Sequence, residues 1–292
     1  MDHFLHLLSS GLARGAVFAV FALALVLIWR AARIVNFAQG AMAAATTYVA
    51  FAVTTATGSY WLGLGAAVLG GAALGFAVER GVMRHVAGRS PLNSVIVALG
   101  VVMVLQAVLG IAFGNDYKPM AVPFSMEPLW VAGTPLLSPY DLYVLGAVAV
   151  LLVAFGLLFT RTSVGLRMRA AAFAPETSRL LGVPVSRMLT LGWALSAAVG
   201  ALAAVLVIPT ELGLNPHATD TLFVYAFTVA IVGGLDSPVG AALGGLAVGV
   251  LLSMVTGYLG STLAPIAVLA LLVVVLIARP SGIFSARQVR QA

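Results

Sequence analysis

The stretch Arg161–Arg187, RTSVGLRMRAAAFAPETSRLLGVPVSR, determines how the rest of the chain is arranged. It lies between two long apolar runs, and it carries five arginines against one acidic residue, Glu176. A basic loop between membrane spans stays on the cytoplasmic side of the membrane. The stretch therefore sets the direction in which the other apolar runs cross.

The same stretch contains the signals of a short helix from Pro175 to about Leu181. Proline suits the first helical position, because its missing N–H would be unbonded there. Glu176 lies at the positive end of the helix dipole and Arg179 near the negative end. Gly182, with a proline two residues later, is a stop signal. Spacing alone leaves two interpretations open, a helix that docks into a partner or an ordinary arginine-rich connector.

The composition is that of a membrane protein. Of 292 residues, 62% are hydrophobic and only 8% are charged, whereas soluble domains carry about 25% charged residues. The apolar runs are about 20 residues long and lack the alternation of a β-barrel. We predict an all-α polytopic membrane bundle of about 8–10 transmembrane helices, forming a single domain over residues 1–292. The chain has no cysteine, which excludes disulfides and thiolate sites.

Threading the apolar runs places the N-terminus outside and the C-terminus in the cytoplasm. The runs lie at about 11–29, 36–57, 61–83, 92–113, 139–160, 188–208, 220–235, 237–258 and 262–279. Thirteen of the fifteen basic residues then lie inside, and only Arg14 and Lys118 lie outside. The outer loops hold the acidic residues Asp116, Glu127, Asp141, Glu211 and Asp220. This is a positive-inside distribution.

Pairs of small residues four positions apart recur in the spans. They are Gly11–Gly15, Gly71–Gly75, Gly110–Gly114, Gly240–Gly244 and Gly245–Gly249. In lipid, close backbone approach supplies much of the energy of helix association. We therefore expect closely packed helices.

Polar groups at membrane depth are costly, which makes them candidates for a transport path. The candidate path residues are Asn36, Phe37, Gln39, Gly40, Asn93, Ser94 and Gln106. The sequences NFAQG (36–40) and GGLDSP (233–238) interrupt apolar runs, either as broken helices against a path or as tight interfacial turns. No acidic or basic residue lies in the middle of a span, which argues against a proton relay. The four histidines lie near segment ends and predict no metal site.

Catalytic motifs are missing from the sequence. No stretch resembles a phosphate-binding Walker A loop, a nucleophile elbow or a metalloprotease helix. We expect no enzymatic activity and no cofactor bound by this chain. The scattered arginines do not form a nucleic-acid face. Active transport would need energy from partner subunits.

Three blocks resemble the LivH-type permeases, the membrane subunits of branched-chain amino acid ABC importers. They are GLARGAVFAVFALALVLIWRAARIVNFAQGAM (11–42), TSVGLRMRAAAFAPETSRLLGVPVSRMLTLGWALSAAVGALAAVL (162–206) and VAIVGGLDSPVGAALGGLAVGVL (229–251), and the ending ARPSGIF (278–284) is similar too. The chain departs from the family pattern at Gln39, where many relatives have histidine. It departs again at Thr177 and Ser178, where relatives commonly have alanine.

The resemblance implies that residues 161–187 form a cytoplasmic coupling loop whose short helix sits in a cleft of an ATPase. The matching coupling positions are Ala172, Pro175, Glu176, Arg179, Leu181 and Gly182. The implied partners are a second related permease, two ATP-binding subunits that use ATP and Mg, an extracytoplasmic solute-binding protein and membrane lipids. Other amino acids, amides or urea remain alternative substrates. An ion-coupled secondary transporter, an integral enzyme and an assembly factor remain alternative functions.

Overall fold

The computed structural model describes residues 2–86, 90–131, 134–135, 137–279 and 282–284. The helices run over Asp2–Ala32 (α1), Gln39–Thr57 (α2), Tyr60–Val78 (α3), Arg84–Val86 (α4), Pro91–Phe113 (α5), Pro139–Arg161 (α6), Ser163–Phe173 (α7), Pro175–Leu180 (α8), Val185–Val207 (α9), Asp220–Gly233 (α10), Pro238–Leu259 (α11) and Ala264–Ala278 (α12). A π-helical turn, Glu79–Met83, joins α3 to α4, and 3₁₀ turns cover Ile208–Thr210 and Ser261–Leu263. Two short antiparallel strands, Trp130–Val131 (β1) and Thr134–Pro135 (β2), form a hairpin in the loop before α6.

The predicted helical bundle is confirmed, and each of the nine predicted apolar segments contains a helix. In the described part of the chain, seven helices are long and apolar enough to cross a membrane. The other two segments form α2, which carries five threonines, and α10, which has only 14 residues. At 1.5 Å per residue α10 is about 21 Å long, less than the roughly 30 Å of a hydrocarbon core. The apolar segment predicted at about 220–235 is therefore present as α10, a helix shorter than the hydrocarbon core.

Helix α1 is the centre of the bundle. In the 18-residue stretch of α1 that could cross a membrane, 89% of the residues are buried. The corresponding share is 11% for α5 and 17% for the segment that contains α12. Helices α9, α10 and α11 all pack against it. The outer helices thus enclose the first helix of the chain.

Glycines allow the close approach that holds α1 against α11. A Cβ atom added to Gly15 would lie 2.7 Å from the carbonyl oxygen of Gly245, and one added to Gly11 would lie 2.8 Å from the Cα of Val250. Contacts this short leave no room for any side chain, so the two backbones touch. The predicted close packing is confirmed here.

The other small-residue pairs give a mixed result. Gly71 packs in the same way against the Ala197 carbonyl oxygen of α9, at 2.8 Å from an added Cβ. The Gly240–Gly244 pair lies against Gly233 of α10. The pair Gly110–Gly114 does not pack against another helix in the described residues, because it ends α5 and an added Cβ at Gly114 meets nothing within 4 Å. The expectation of a helix contact is wrong for that pair.

The arginines of several segments come together at one end of the bundle, called here the basic end. Arg30 lies over the Phe159 ring of α6 at 4.6 Å, and Arg33 pairs with Asp236. Asp236 belongs to GGLDSP, which forms a tight turn between α10 and α11, with Ser237 capping α11. The turn interpretation of this motif is therefore confirmed.

Candidate translocation and coupling sites

A buried polar junction joins α1, α2 and α9. Asn36 and Gln39 are at most 1% exposed, as is Ser196 of α9. The Asn36 amide donates to Gln39 Oε1 at 2.9 Å, and Gln39 Nε2 donates to the Ser196 carbonyl oxygen at 3.0 Å. The Ser196 hydroxyl donates to the Ala24 carbonyl oxygen of α1 at 2.7 Å. Protein groups therefore satisfy these buried polar atoms, as such atoms require in an apolar surrounding.

Helix α2 begins inside the bundle and not at its surface. After α1 ends, Arg33 adopts a left-handed conformation with φ 56°, and the chain turns back. The Asn36 side-chain oxygen accepts from the Ala38 N–H at 3.0 Å and closes the turn before Gln39. Gln39 lies opposite Ser196, halfway along α9. NFAQG is therefore a buried helix start next to other helices.

The start of α10 lies beside this point. The Thr219 hydroxyl donates to the Gly40 carbonyl oxygen at 2.8 Å. The Phe37 ring lies 6.2 Å from that of Phe223 and 5.8 Å from that of Phe227, between centroids. The N-terminal ends of α2 and α10 thus meet inside the bundle. Interrupted helices whose N-termini meet at membrane depth are typical of solute sites in membrane transporters.

Helix α5 brings Gln106 to the start of α10. Its amide donates to the two Asp220 carboxylate oxygens at 3.0 and 3.2 Å, and His217 Nδ1 lies 3.0 Å from the second of them. Asn93 is exposed and Ser94 is buried near the other end of α5. Twelve residues of helix put Ser94 about 18 Å from Gln106. The seven candidate path residues thus separate into the four in NFAQG with Gln106 nearby, and the distant pair Asn93 and Ser94.

Sequence reasoning missed the participants that α10 contributes. It placed Asp220 in an outer loop, whereas Asp220 is the first residue of α10 and lies beside α5. An acidic residue at the start of an apolar run is a helix-start signal that could have placed it. The partner of Asp220 lies 114 residues away. No local pattern predicts such a contact.

The predicted coupling helix is present as α8. Pro175 lies in its first turn with Glu176, Arg179 lies in its last turn, and Gly182 has φ +80° beyond its end. The Gly182 N–H donates to the Arg179 carbonyl oxygen at 3.0 Å. The helix ends at Leu180, one residue earlier than predicted. The eleven-residue α7 precedes it and was not predicted as a helix.

The predicted coupling loop, residues 161–187, turns apolar side chains away from the bundle. Leu180 is 89% exposed, Phe173 83% and Leu181 78%. Met168 and Ser178 are buried and hold the loop against the neighbouring helices. Of the candidate coupling residues, Ala172 is half-buried, and Pro175, Glu176, Arg179, Leu181 and Gly182 are exposed. Large apolar groups exposed on a short helix are typical of a surface that another protein covers.

An ion pair with a buried carboxylate anchors the bundle beside this loop. The Arg84 guanidinium donates to the Glu79 carboxylate through Nε at 3.1 Å and Nη2 at 3.0 Å. The Thr190 hydroxyl of α9 donates to the same carboxylate at 2.8 Å. Residues five apart do not face each other on an α-helix, and the π-helical turn brings Glu79 and Arg84 together. Sequence reasoning missed this pair because it counted Glu79 as part of an apolar run.

An open groove of about 840 Å³ separates this ion pair from α8. Four arginines line it, from the π-helical turn to the start of α9: Arg80, Arg84, Arg179 and Arg187. Among the residues that the structure describes, no three histidine, aspartate or glutamate side chains come close enough to hold a metal ion. The basic end therefore offers an apolar protrusion beside a positively charged groove.

Comparisons with known proteins agree with this architecture. The family model for the permease component of branched-chain amino acid transport systems matches residues 7–278. The high-affinity branched-chain amino acid transport system permease protein BraD of Pseudomonas aeruginosa is 28% identical over 303 residues, which cover 99% of this chain and 98% of the relative. The corresponding protein LivH of Escherichia coli K12 is 28% identical over 305 residues, with the same coverage.

More distant relatives match as well. A probable branched-chain amino acid transport permease protein LivH of Methanocaldococcus jannaschii is 26% identical over 252 residues, covering 83% of this chain and 78% of the relative. A chain of the structure described as PsaBC from Streptococcus pneumoniae in complex with Fab has a similar fold. It aligns with a TM-score of 0.51 at 13% identity, over 94% of this chain and 93% of that one. The chain therefore belongs to the family of permease components of branched-chain amino acid transport systems.

Proposed function

We propose that the chain is the translocating subunit of an ATP-driven importer of branched-chain amino acids in a prokaryotic plasma membrane. Its partners would be a second related permease, two ATP-binding subunits and an extracytoplasmic solute-binding protein. The observation that carries the proposal is the family match along residues 7–278. The exposed coupling loop supports it, since the chain itself has no motif for ATP binding.

Energy would enter at the basic end. Leu180 and Leu181 of the coupling loop would insert into a cleft of an ATP-binding subunit, while Met168 and Ser178 keep the loop attached to the bundle. The Glu79–Arg84–Thr190 contacts tie α3 to α9 next to that loop. Displacement of the coupling loop would then move α9 with the end of α3. A permease of this kind has two packing arrangements of its helices. ATP and the solute-binding protein shift the equilibrium between them.

The moving parts of the path would be the two interrupted helices. The starts of α2 and α10 meet through Gly40 and Thr219, and both are held by hydrogen bonds to neighbours. Backbone groups at such breaks are free to exchange partners in a way that a continuous helix does not allow. We place the solute path along this junction, with the N-terminus of the chain outside and the C-terminus inside.

Reconstitution tests the function. The complex would be purified from its native cells and placed in liposomes with ATP inside and the binding protein outside. We expect uptake of leucine, isoleucine or valine that stops without ATP. Leu181→Asp should abolish ATPase association, and Leu181→Met, which keeps the apolar volume, should not.

Two results would contradict the proposal. Uptake by this chain without any ATPase would favour an ion-coupled secondary transporter. Uptake of urea, amides or other amino acids in place of the three branched-chain ones would keep the machinery and change the substrate.

A further inference from the structure

A cavity of about 370 Å³ opens between α1, α10, α11 and the start of α12, away from the basic end. Arg14 of α1 and Glu211, just after the 3₁₀ turn that ends α9, both line it. Arg14 precedes Arg30 by sixteen residues, or about 24 Å of helix. That distance approaches the roughly 30 Å thickness of a hydrocarbon core. The cavity therefore lies near the membrane surface opposite the basic end.

Within the described part of the chain, neither charge has an ion-pair or hydrogen-bond partner. The ion pairs of the described residues are Arg33–Asp236, Arg84–Glu79 and His217–Asp220, and none of them includes Arg14 or Glu211. Neither side chain makes a hydrogen bond to another described residue. The two nevertheless share two adjoining cavities, the larger one and a smaller one of about 100 Å³. Both side chains are exposed, so each charge is open to a ligand that enters the cavity.

The rest of the lining mixes apolar side chains with hydroxyl, amide and imidazole groups. Phe18, Leu222 and Leu252 contribute branched or aromatic walls, and Val207 lies near the charged pair. The volume is within the range of about 300–1,000 Å³ that is usual for small-molecule sites. A ligand that satisfies this cavity needs a negative group, a positive group and a compact apolar body. A free amino acid with an aliphatic side chain has all three.

We propose that this cavity is a waypoint for the amino acid zwitterion, with the Arg14 guanidinium binding the α-carboxylate and the Glu211 carboxylate binding the α-ammonium group. The proposal rests on the proposed function and adds the groups that recognise the substrate inside the permease. The planar guanidinium matches a carboxylate in a bidentate geometry. Phe18 and Leu222 would contact the aliphatic side chain.

The site predicts selectivity by charge. Urea has neither charged group, and an amino acid amide lacks the carboxylate, so each would leave at least one protein charge unpaired. A site that binds both charged groups of its substrate discriminates against a ligand that lacks one of them, because a charged contact is then lost. The binding protein delivers the substrate, and this cavity would check its backbone groups a second time.

Transport per ATP tests the site in the intact complex. Arg14→Gln and Glu211→Gln should each lower leucine transported per ATP by about tenfold or more, because each removes a charged hydrogen bond. Complex assembly and ATP hydrolysis without substrate should not change. Lys118→Gln and Glu127→Gln are matched controls, since they neutralise charges on the loop before α6 and do not line the cavity.

Direct binding gives a second, independent readout. The purified complex without its binding protein would be titrated with leucine, with leucinol, which lacks the carboxylate, and with 4-methylpentanoate, which lacks the ammonium group. The wild-type complex should bind leucine more tightly than either analogue. Arg14→Gln should erase the preference over leucinol, and Glu211→Gln the preference over 4-methylpentanoate. If Arg14→Gln does not assemble, Arg14→Lys and Glu211→Gln carry the test.

The outcomes separate the two proposals. If the wild-type complex transports no branched-chain amino acid, the proposed function fails. If it transports leucine and the Arg14 and Glu211 variants transport it equally well per ATP, only the waypoint is overturned. The same holds if both variants keep the wild-type preference for leucine over its two analogues.

Discussion

Gln39 is the residue that holds the start of α2 inside the bundle. Its amide nitrogen binds the Ser196 carbonyl oxygen of α9, and its oxygen accepts from Asn36. The residue is completely buried. A side chain with both a donor and an acceptor is needed here, because one neighbour offers an N–H and the other a carbonyl.

Replacement of Gln39 by leucine should therefore destabilise the protein. The Asn36 amide would be left without its partner in an apolar surrounding, at a cost of about 1–3 kcal/mol. Thermal unfolding of the detergent-solubilised protein would measure the loss. Thr55→Val on the exposed side of the same helix is the matched control and should change little. Equal melting temperatures for the two variants would show that the junction adds nothing to stability.

The sequence could identify Asn36 and Gln39, because amides within an apolar run stand out. It could not identify the groups to which they form hydrogen bonds. The carbonyl oxygen that Gln39 binds belongs to a residue 157 positions later, and the Ser196 hydroxyl binds a residue 172 positions earlier. Such pairs depend on which helices become neighbours. The same applies to Arg14. The sequence identifies it as one of the few basic residues on the outer side, but it does not indicate that Glu211 lines the same cavity.

At the scale of elements, α8 and Gly182 behave as one unit. Gly182 ends the helix with φ +80°, a conformation that suits glycine and is strained for most side chains. An added Cβ meets no atom within 4 Å, so the backbone and not the space limits substitution. The glycine keeps Leu181 at the exposed tip of the coupling loop.

Gly182→Arg should uncouple transport from ATP hydrolysis and leave the protein in the membrane. The left-handed conformation would cost roughly 1 kcal/mol, and the long side chain would stand where an ATPase surface is expected. Gly182→Asn is the control, because asparagine tolerates this conformation. Uptake and stimulated ATPase activity would be measured in liposomes. Normal values for the arginine variant would contradict the coupling role.

The contact between α1 and α11 makes a second prediction about elements. Gly249→Val should prevent the two helices from packing, because an added Cβ at Gly249 already collides with the Gly15 backbone. Overpacking costs about 1–3 kcal/mol, and here the obstacle is backbone. Gly100→Val is the control, since Gly100 faces open space on α5. Size-exclusion chromatography should show loss of the monodisperse peak for Gly249→Val alone.

Helix α8 was predictable and α7 was not, for a physical reason. Proline, glutamate and glycine mark the ends of α8, whereas the end of α7 carries no such residues. Its cap is the Thr162 hydroxyl, which accepts from the Gly165 N–H at 3.1 Å. Gly165 also packs against the end of α6. A single capping threonine is a less specific signal than the three residues that mark α8, and tertiary contact adds to the stability of α7.

For the whole molecule, the absence of cysteine from the sequence allows a direct test of topology. Leu212→Cys should react with an impermeant maleimide added outside intact cells, since Leu212 is 80% exposed away from the basic end. Leu180→Cys, 89% exposed on α8, should react only after the cells are opened. The opposite pattern would reverse the orientation predicted from the arginines.

The number and position of the apolar segments followed from the sequence, and their arrangement did not. The membrane-length stretch of α5 has a mean hydropathy of 2.7 and that of α1 only 2.3, yet α1 is far more buried. Lipid tails are as apolar as a protein core, so hydropathy cannot separate a helix that faces lipid from one that faces protein. The glycines of α1 and α11 predicted close packing, but they did not indicate which helix each one packs against.

The central position of α1 has a consequence for biosynthesis. This helix leaves the ribosome well before its main glycine contact, α11, which begins at Pro238. At about 5–20 residues per second, the interval is on the order of ten to fifty seconds. During that time the backbone around Gly11 and Gly15 lies in the translocation machinery or in lipid, without its contact to α11. The helix that is synthesised before its neighbours is thus the one that they finally surround. Its backbone must therefore be protected for the longest time during synthesis.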